Sequence, residues 1–264
     1  MKGEIEKFPI LRVTEQGRSE VEDTLVKEFS LTIILNNHEL VTLLCSPTKL
    51  KYLATGFLLS EGLLNNKDEI KKITVDDRRG VARVETKGDK EFAGELIFKR
   101  SITSGCGKGI SLHGATDAQT LGEVQSKIEI SAVEVFNLVK EFQHRSQIYR
   151  ATGGVHSAAL CDTTSILVFA EDIGRHNAID KIFGQCLLED IPTNERMIIT
   201  SGRISSEILL KVAKRNIPIL ISKSAPTNLG MRLAERLGVT LVGFVRGKRM
   251  NVYTYDWRIR TDGK

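Results

Sequence analysis

The chain has 264 residues and an ordinary globular composition, 41% hydrophobic, 27% charged and 6% aromatic, so it can bury one large core or two separate ones. Its formal net charge of +5 suits phosphate-bearing or acidic partners, but basic and acidic residues are interspersed and no nucleic-acid surface is expected. The opening MKGEIEKFPI lacks a signal peptide's apolar stretch, and SILVFA and IPILIS are too short to span a bilayer, so a cytoplasmic protein without membrane insertion is expected.

The first half reads as α+β. Residues 30–36 (SLTIILN) alternate like a half-buried strand, and 40–45 (LVTLLC) form its hairpin partner across Asn36, Asn37, His38 and Glu39. Ser46 and Pro47 then open a helix as N-cap and first helical residue. Leu50, Leu53, Ala54, Phe57 and Leu58 are its apolar stripe, and Gly62 ends it. Strands follow near 70–75, 81–86 and 95–98. Between about residues 100 and 127 the periodicity fades into SITSGCGKGISLHGATD. A long stretch of this kind inside a compact protein is often functional, and the domain boundary falls near its end.

The second half alternates helix and strand. Ser131 and Glu134 form a capping box ahead of Val135, Leu138, Val139 and Phe142. Strands are expected at 156–161, 165–170, 197–200 and 217–222 and in VTLVGFV, with helices at 175–188, 205–214 and 227–237. This rhythm predicts a largely parallel sheet covered by helices. The fold class is therefore α/β, with a smaller N-terminal α+β domain (1–125) and a C-terminal α/β domain (126–264).

Polar clusters recur where these strands end: TGGVH, EDIGRHNAIDK, TSGR, SKSAPT and GFVRGKR. In an open α/β sheet that edge is where ligands bind, and helix N-termini there offer free N–H groups to anions. Each cluster alone is an ordinary turn and helix cap. Their repetition along one edge points to a polyanion or nucleotide. Cys106 lies between Gly105 and Gly107 with Lys108 close by, a setting that favours an accessible thiolate. Cys45, Cys161 and Cys186 sit in apolar runs and read as small core residues. The four cysteines form no zinc framework, and Walker A, GxGxxG, HExxH and CxxC motifs are absent.

Taken together, LTIILN, TGFLLSEGL, SGCG, TGGVHSAAL, EDIGRHNAIDK, TSGRISSE, IPILISKSAPT and GFVRGKRMNVYT resemble the formate dehydrogenase accessory family, FdhD/NarQ, over most of the chain. The resemblance implies a sulfurtransferase. It would take sulfur from a cysteine desulfurase as a persulfide on Cys106 and pass it to the molybdenum bis(molybdopterin guanine dinucleotide) cofactor, its bound substrate, for formate dehydrogenase. It assigns cofactor binding to Phe244, Val245, Arg246, Gly247, Lys248 and Arg249. It further implies a three-layer C-terminal domain like the cytidine deaminase fold, and a homodimer. Many relatives carry a second loop cysteine where this chain has Gly109, which leaves a single-cysteine relay. A deaminase also needs H-x-E and P-C-x-x-C. His156-Ser157-Ala158 lacks the glutamate and the Ser201 region lacks the cysteines, so no catalytic zinc is expected.

Arg175, His176, Asp180, Ser201, Arg203 and Ser224 are further candidates for guanine, ribose or pterin contacts. Three rivals stay open. One is a cofactor-binding escort that moves no sulfur. Another is a cysteine hydrolase using Cys106 with His113 or His156. The last is RNA binding, favoured by charge alone, for which the aromatic residues are too scattered to form stacking platforms.

Overall fold

The computed structural model describes residues 3–87, 101–102 and 121–261. The strand expected at 95–98 and the segment carrying Cys106, Gly109 and His113 lie outside them.

The N-terminal sheet is built on one tight hairpin. In β3 (Phe29–Leu35) alternate residues Leu31, Ile33 and Leu35 are buried. The chain returns as β4 (His38–Cys45) through Asn36 and Asn37, at φ 48° and 68°. Asparagine tolerates this left-handed backbone, so the turn needs two residues and not the expected four. With β5 (Ile70–Asp76), β6 (Val81–Thr86) and β7 (Ser101–Ile102) the sheet order is β5-β6-β3-β4-β7. The short β7 runs parallel to β4, beside Thr42 and Leu43.

Helix α1 (Leu50–Ser60) lays Leu50, Leu53, Ala54 and Leu58 on this sheet. Gly62, at φ 73°, ends it: the Leu63 amide donates to Leu58 O and the Gly62 amide to Leu59 O, which satisfies two terminal carbonyls. Its start differs from expectation. Lys49, in a left-handed conformation, precedes the first helical residue. Ser46 does not cap the helix because its amide donates to Asp172 and its hydroxyl accepts the Ile173 amide. The sequence pattern also missed a mostly exposed N-terminal hairpin, β1 (Ile5–Thr14) and β2 (Gly17–Val26), where polar residues occupy both faces.

The second sheet contains β9 (His156–Cys161), β10 (Ile166–Asp172), β11 (Met197–Thr200), β12 (Ile219–Ser222), β13 (Thr240–Arg246) and β14 (Arg249–Val252), in the order β10-β9-β11-β12-β13-β14. It is mixed, not largely parallel: β11, β12 and β13 run together, and β9, β10 and β14 oppose their neighbours. The reason is connection length. β9 and β10 are joined by a short turn in which Asp162 accepts the amides of Thr164 and Ser165, too short for a parallel crossover.

Period-two alternation sends successive residues of β9 to opposite faces. Ala158 and Leu160 pack under α4 (Arg175–Leu188), α5 (Ser206–Ala213) and α6 (Asn228–Arg236). Ala159 and Cys161 pack against α2 (Ala132–Arg145), which carries the expected Ser131–Glu134 capping box. The short helix α3 (Gln147–Thr152) leads into β9. Two short strands, β8 (Ile130–Ser131) and β15 (Ile259–Arg260), pair beside this core.

The two sheets are joined through their helices. Glycines lie at the contact of α1 and α4: a Cβ on Gly56 would stand 1.8 Å from Asp180 O, and one on Gly184 would stand 1.9 Å from Tyr52 O. Only glycine lets these backbones approach so closely.

Candidate functional site at the carboxyl edge of the second sheet

The parallel strands deliver the expected clusters to one edge. Thr200 ends β11 and leads into Ser201, Gly202 and Arg203, and Ser222 ends β12 ahead of Lys223 and Ser224. These turns are tied together. The Ser222 hydroxyl donates to Gly202 O at 2.7 Å and accepts the Ser224 amide at 2.9 Å, and the Ile204 amide donates to Ala225 O. β9 runs the other way, so its first residue, His156, lies at the same edge beside Ser201.

The GFVRGKR stretch forms the last turn of this edge. Gly243 faces Asn251 and Arg246 faces Arg249, so Phe244 and Val245 together oppose Met250 in a bulge. Phe244 has φ 54°, a conformation unusual for a bulky side chain. Its amide donates to Ser224 O, which links the bulge to the β12 turn. Gly247, at φ 58°, and Lys248 make the hairpin turn. Val245 is buried and holds the strand in the core. Arg246, Gly247, Lys248 and Arg249 are exposed. Burial, and then the charge of Arg246, pull the Lys223 pKa below that of an ordinary lysine, which places these two cations near one another.

The EDIGRHNAIDK cluster divides between edge and interior. Arg175 and His176 open α4 at the edge. His176 Nε2 lies 3.5 Å from Glu207 Oε2. Burial first, and then Lys211, Arg175 and His156, push its pKa down to about 3, so at neutral pH this is a contact to a neutral ring. Asp180 corrects the expectation of a ligand contact: it is buried, accepts the Ser60 hydroxyl at 2.6 Å and binds Lys211 at 2.6 and 2.8 Å. Its carboxylate is consumed in joining α1, α4 and α5.

Asp172 is the residue whose role the sequence did not disclose. It pairs with His156 in register. Its carboxylate accepts the Ser46 amide, the Gly174 amide and the Asn177 side chain, and it bonds Lys181 at 2.7 Å. The end of β4 and the start of α4 are thereby fixed to the edge of the second sheet. No spacing in the sequence could signal this, since Ser46 and Asp172 meet only in the folded chain.

Cys45, Cys161 and Cys186 are all buried. Burial pushes the thiols of Cys45 and Cys186 up to about 12 and raises that of Cys161 as well, so none is a ready thiolate. Among the described residues no group of three His, Cys, Asp or Glu side chains could hold a metal ion.

The architecture and site thus define a mixed α/β protein of two joined sheets, with hydroxyls, glycines and cations lined along one strand-end edge of the second. Comparison with known proteins agrees at a finer level: residues 26–260 match the FdhD/NarQ family, and the chain belongs to that family. It is 48% identical to the sulfur carrier protein FdhD of Bacillus pumilus (strain SAFR-032), covering 90% of each chain. It is 47% identical to the protein of the same name from Bacillus subtilis (strain 168), covering 93% of this chain and 94% of that one. The crystal structure of a "putative formate dehydrogenase accessory protein" from Desulfotalea psychrophila superimposes with a TM-score of 0.80 at 27% identity, covering 97% of this chain and 99% of that one.

Proposed function

We propose that this protein is a sulfur carrier that supplies the molybdenum bis(molybdopterin guanine dinucleotide) cofactor of formate dehydrogenase, with Cys106 as the carrying residue. The observation that carries this reading is the burial of the other three cysteines, which leaves Cys106 for the task in a chain whose relatives are named sulfur carriers. In the loading step the Cys106 thiolate attacks the outer sulfur of a desulfurase persulfide. The donor's S–S bond breaks, a new one forms on Cys106, and the desulfurase cysteine leaves as thiolate. With Gly109 in place of a second loop cysteine, a single thiol performs the relay.

The second sheet's edge would hold the cofactor as substrate. Arg246, Lys248 and Arg249 offer charge-assisted hydrogen bonds to its phosphates. Phe244 and Gly247 shape the turn that presents them, and Val245 anchors it. Cys106 follows β7 by four residues, and β7 runs parallel to β4, whose end is held at this edge by Asp172. The same reading includes a C-terminal domain of the cytidine deaminase type from residue 126 onward that works without catalytic zinc, a homodimer, and a cytoplasmic location. Among the described residues no helix is long and apolar enough to cross a membrane.

Incubation with a cysteine desulfurase and cysteine, followed by peptide mass spectrometry, should find one added sulfur on the Cys106 peptide. Sulfur found only on Cys45, Cys161 or Cys186 would refute the assignment. A second reading, an escort that binds the cofactor without moving sulfur, is favoured by an edge that needs no cysteine to bind anions. Full formate dehydrogenase activity with Cys106→Ser would select the escort.

A further inference from the structure

The edge carries a second group of basic side chains, away from the β13–β14 turn. His156 opens β9, and Arg175 and His176 open α4. Arg175 is close enough to act on both imidazoles, and Lys211 of α5 acts on His176. Between β9 and β13 stand β11 and β12. Three strand spacings amount to about 14 Å, so His156 and the β13–β14 turn occupy separate parts of the edge.

Hydrogen bonds orient the His156 ring. Ser201 Oγ accepts the Ser157 amide at 3.0 Å and lies 3.3 Å from His156 Nδ1, a hydrogen bond that either partner can donate. The other ring nitrogen, Nε2, takes no part in this contact. Among the described residues no hydrogen bond is made to that nitrogen. Gly202 gives Arg175 its path: a Cβ there would stand 2.9 Å from Arg175 Cβ and 3.1 Å from Cδ, so the arginine stem lies across the Gly202 backbone beside Ser201.

We propose that this group is a second anion subsite, taking a phosphate- or sulfate-class oxyanion between His156 and Arg175, and that filling it draws a proton from solvent onto His156. The inference deepens the reading of this edge as the cofactor site and rests on it. Without the anion, burial first and then Arg175 favour the neutral ring. An anion against Nε2 reverses that balance, because opposite charge stabilises the imidazolium. Asp172 favours the charged ring, but less than burial and Arg175 oppose it. Asp172 of β10 is paired with Lys181, Ser201 of β11 is neutral, and on α4 His176 turns to Glu207 of α5.

The test is an NMR pH titration of the histidine ring protons on the full chain, in chloride and then in sodium sulfate at equal ionic strength. Sulfate stays a dianion over the whole range, so the ring alone titrates; His156→Gln assigns the signal. The His156 midpoint should rise by about one pH unit in sulfate, a tenfold gain in proton affinity. Arg175→Gln should remove most of that rise. A midpoint that is the same in both salts, or a rise undiminished in Arg175→Gln, overturns the subsite. GDP in place of sulfate separates a phosphate ester from a free oxyanion as the occupant, either being a rise in the same signal. Failure of GDP to bind at all would sink the cofactor reading of the edge, while the sulfate titration would still decide the subsite.

Discussion

Lys181 and Asp172 form an ion pair, Nζ to Oδ2 2.7 Å, in which neither side chain has any exposure to solvent. Breaking one half leaves a buried charge uncompensated, at a cost of about 3–5 kcal/mol. Lys181→Met should therefore destabilise the protein by about that amount, read as a lower denaturation midpoint. Asp172 also holds the Ser46 and Gly174 amides, so ring-proton shifts of His156 should move as well. A loss of under about 1 kcal/mol would show that water reaches the pair.

Gly184→Ala should be among the most damaging single-methyl changes in the chain. The added carbon would stand 1.9 Å from Tyr52 O and 2.7 Å from Gly56 N, both backbone atoms that cannot rotate away. Overpacking of this kind costs about 1–3 kcal/mol or more, and the loss is expected at the upper end. Gly122→Ala, where nothing lies within 4 Å, is the control and should leave the midpoint nearly unchanged. Equal effects of the two would contradict the helix contact.

Acid should destabilise the fold through its histidines. His156 and His176 both sit below the ordinary imidazole value of 6.5, chiefly through burial. The unfolded chain takes up protons that the folded chain refuses, so stability is complete above about pH 6.5 and falls as pH drops toward the folded value of His176, about 3. By pH 5 the loss from His176 reaches up to about 2 kcal/mol. Denaturant unfolding at pH 7.5 and at pH 5 checks this. His176→Gln should flatten the difference, and an unaltered difference would move the cause elsewhere.

A soft alkylating reagent on the native protein should label Cys106 first and the other cysteines only on unfolding. Cys45, Cys161 and Cys186 are buried with thiols pushed up, which slows both access and thiolate formation. Peptide mass spectrometry of a time course gives the order. Early labelling of Cys186 or Cys45 would weaken the assignment of the sulfur carrier by elimination.

Arg246→Gln should weaken binding of a guanine nucleotide by about 1.5–3 kcal/mol, the value of one charge-assisted hydrogen bond. Calorimetric titration with GDP measures it. Undiminished affinity in the double variant Arg246→Gln, Arg249→Gln would remove the β13–β14 turn from the site.

Local patterns reached far into the architecture. The capping box at Ser131 and Glu134, the apolar stripe of α1, the helix at 175–188 and the strand His156–Cys161 all emerged where the residues predicted, because each depends on neighbours a few positions away. The strand-end clusters were legible for the same reason: a polar, glycine-bearing turn after an apolar run marks the edge of a covered sheet. Strand direction was less legible. The run from β9 to β10 resembles any other pair of strands, and only the shortness of the Asp162 turn makes it antiparallel.

The amino-acid sequence by itself determined the α/β class and the membership of the family, since both rest on local periodicity and on motifs read in order. The tertiary structure alone decided what each polar residue does. Asp180 and Lys181 are adjacent to one another in a cluster that also holds His176, yet helical geometry turns Asp180 toward Ser60 and Lys211, and Lys181 toward Asp172, while His176 stays at the edge. Ser46 has the form of a helix cap, but its amide donates to Asp172 and its hydroxyl accepts the Ile173 amide, far away in sequence. Burial sets a side chain's charge state and partners, and burial is a property of the whole packed chain that no stretch of it encodes alone.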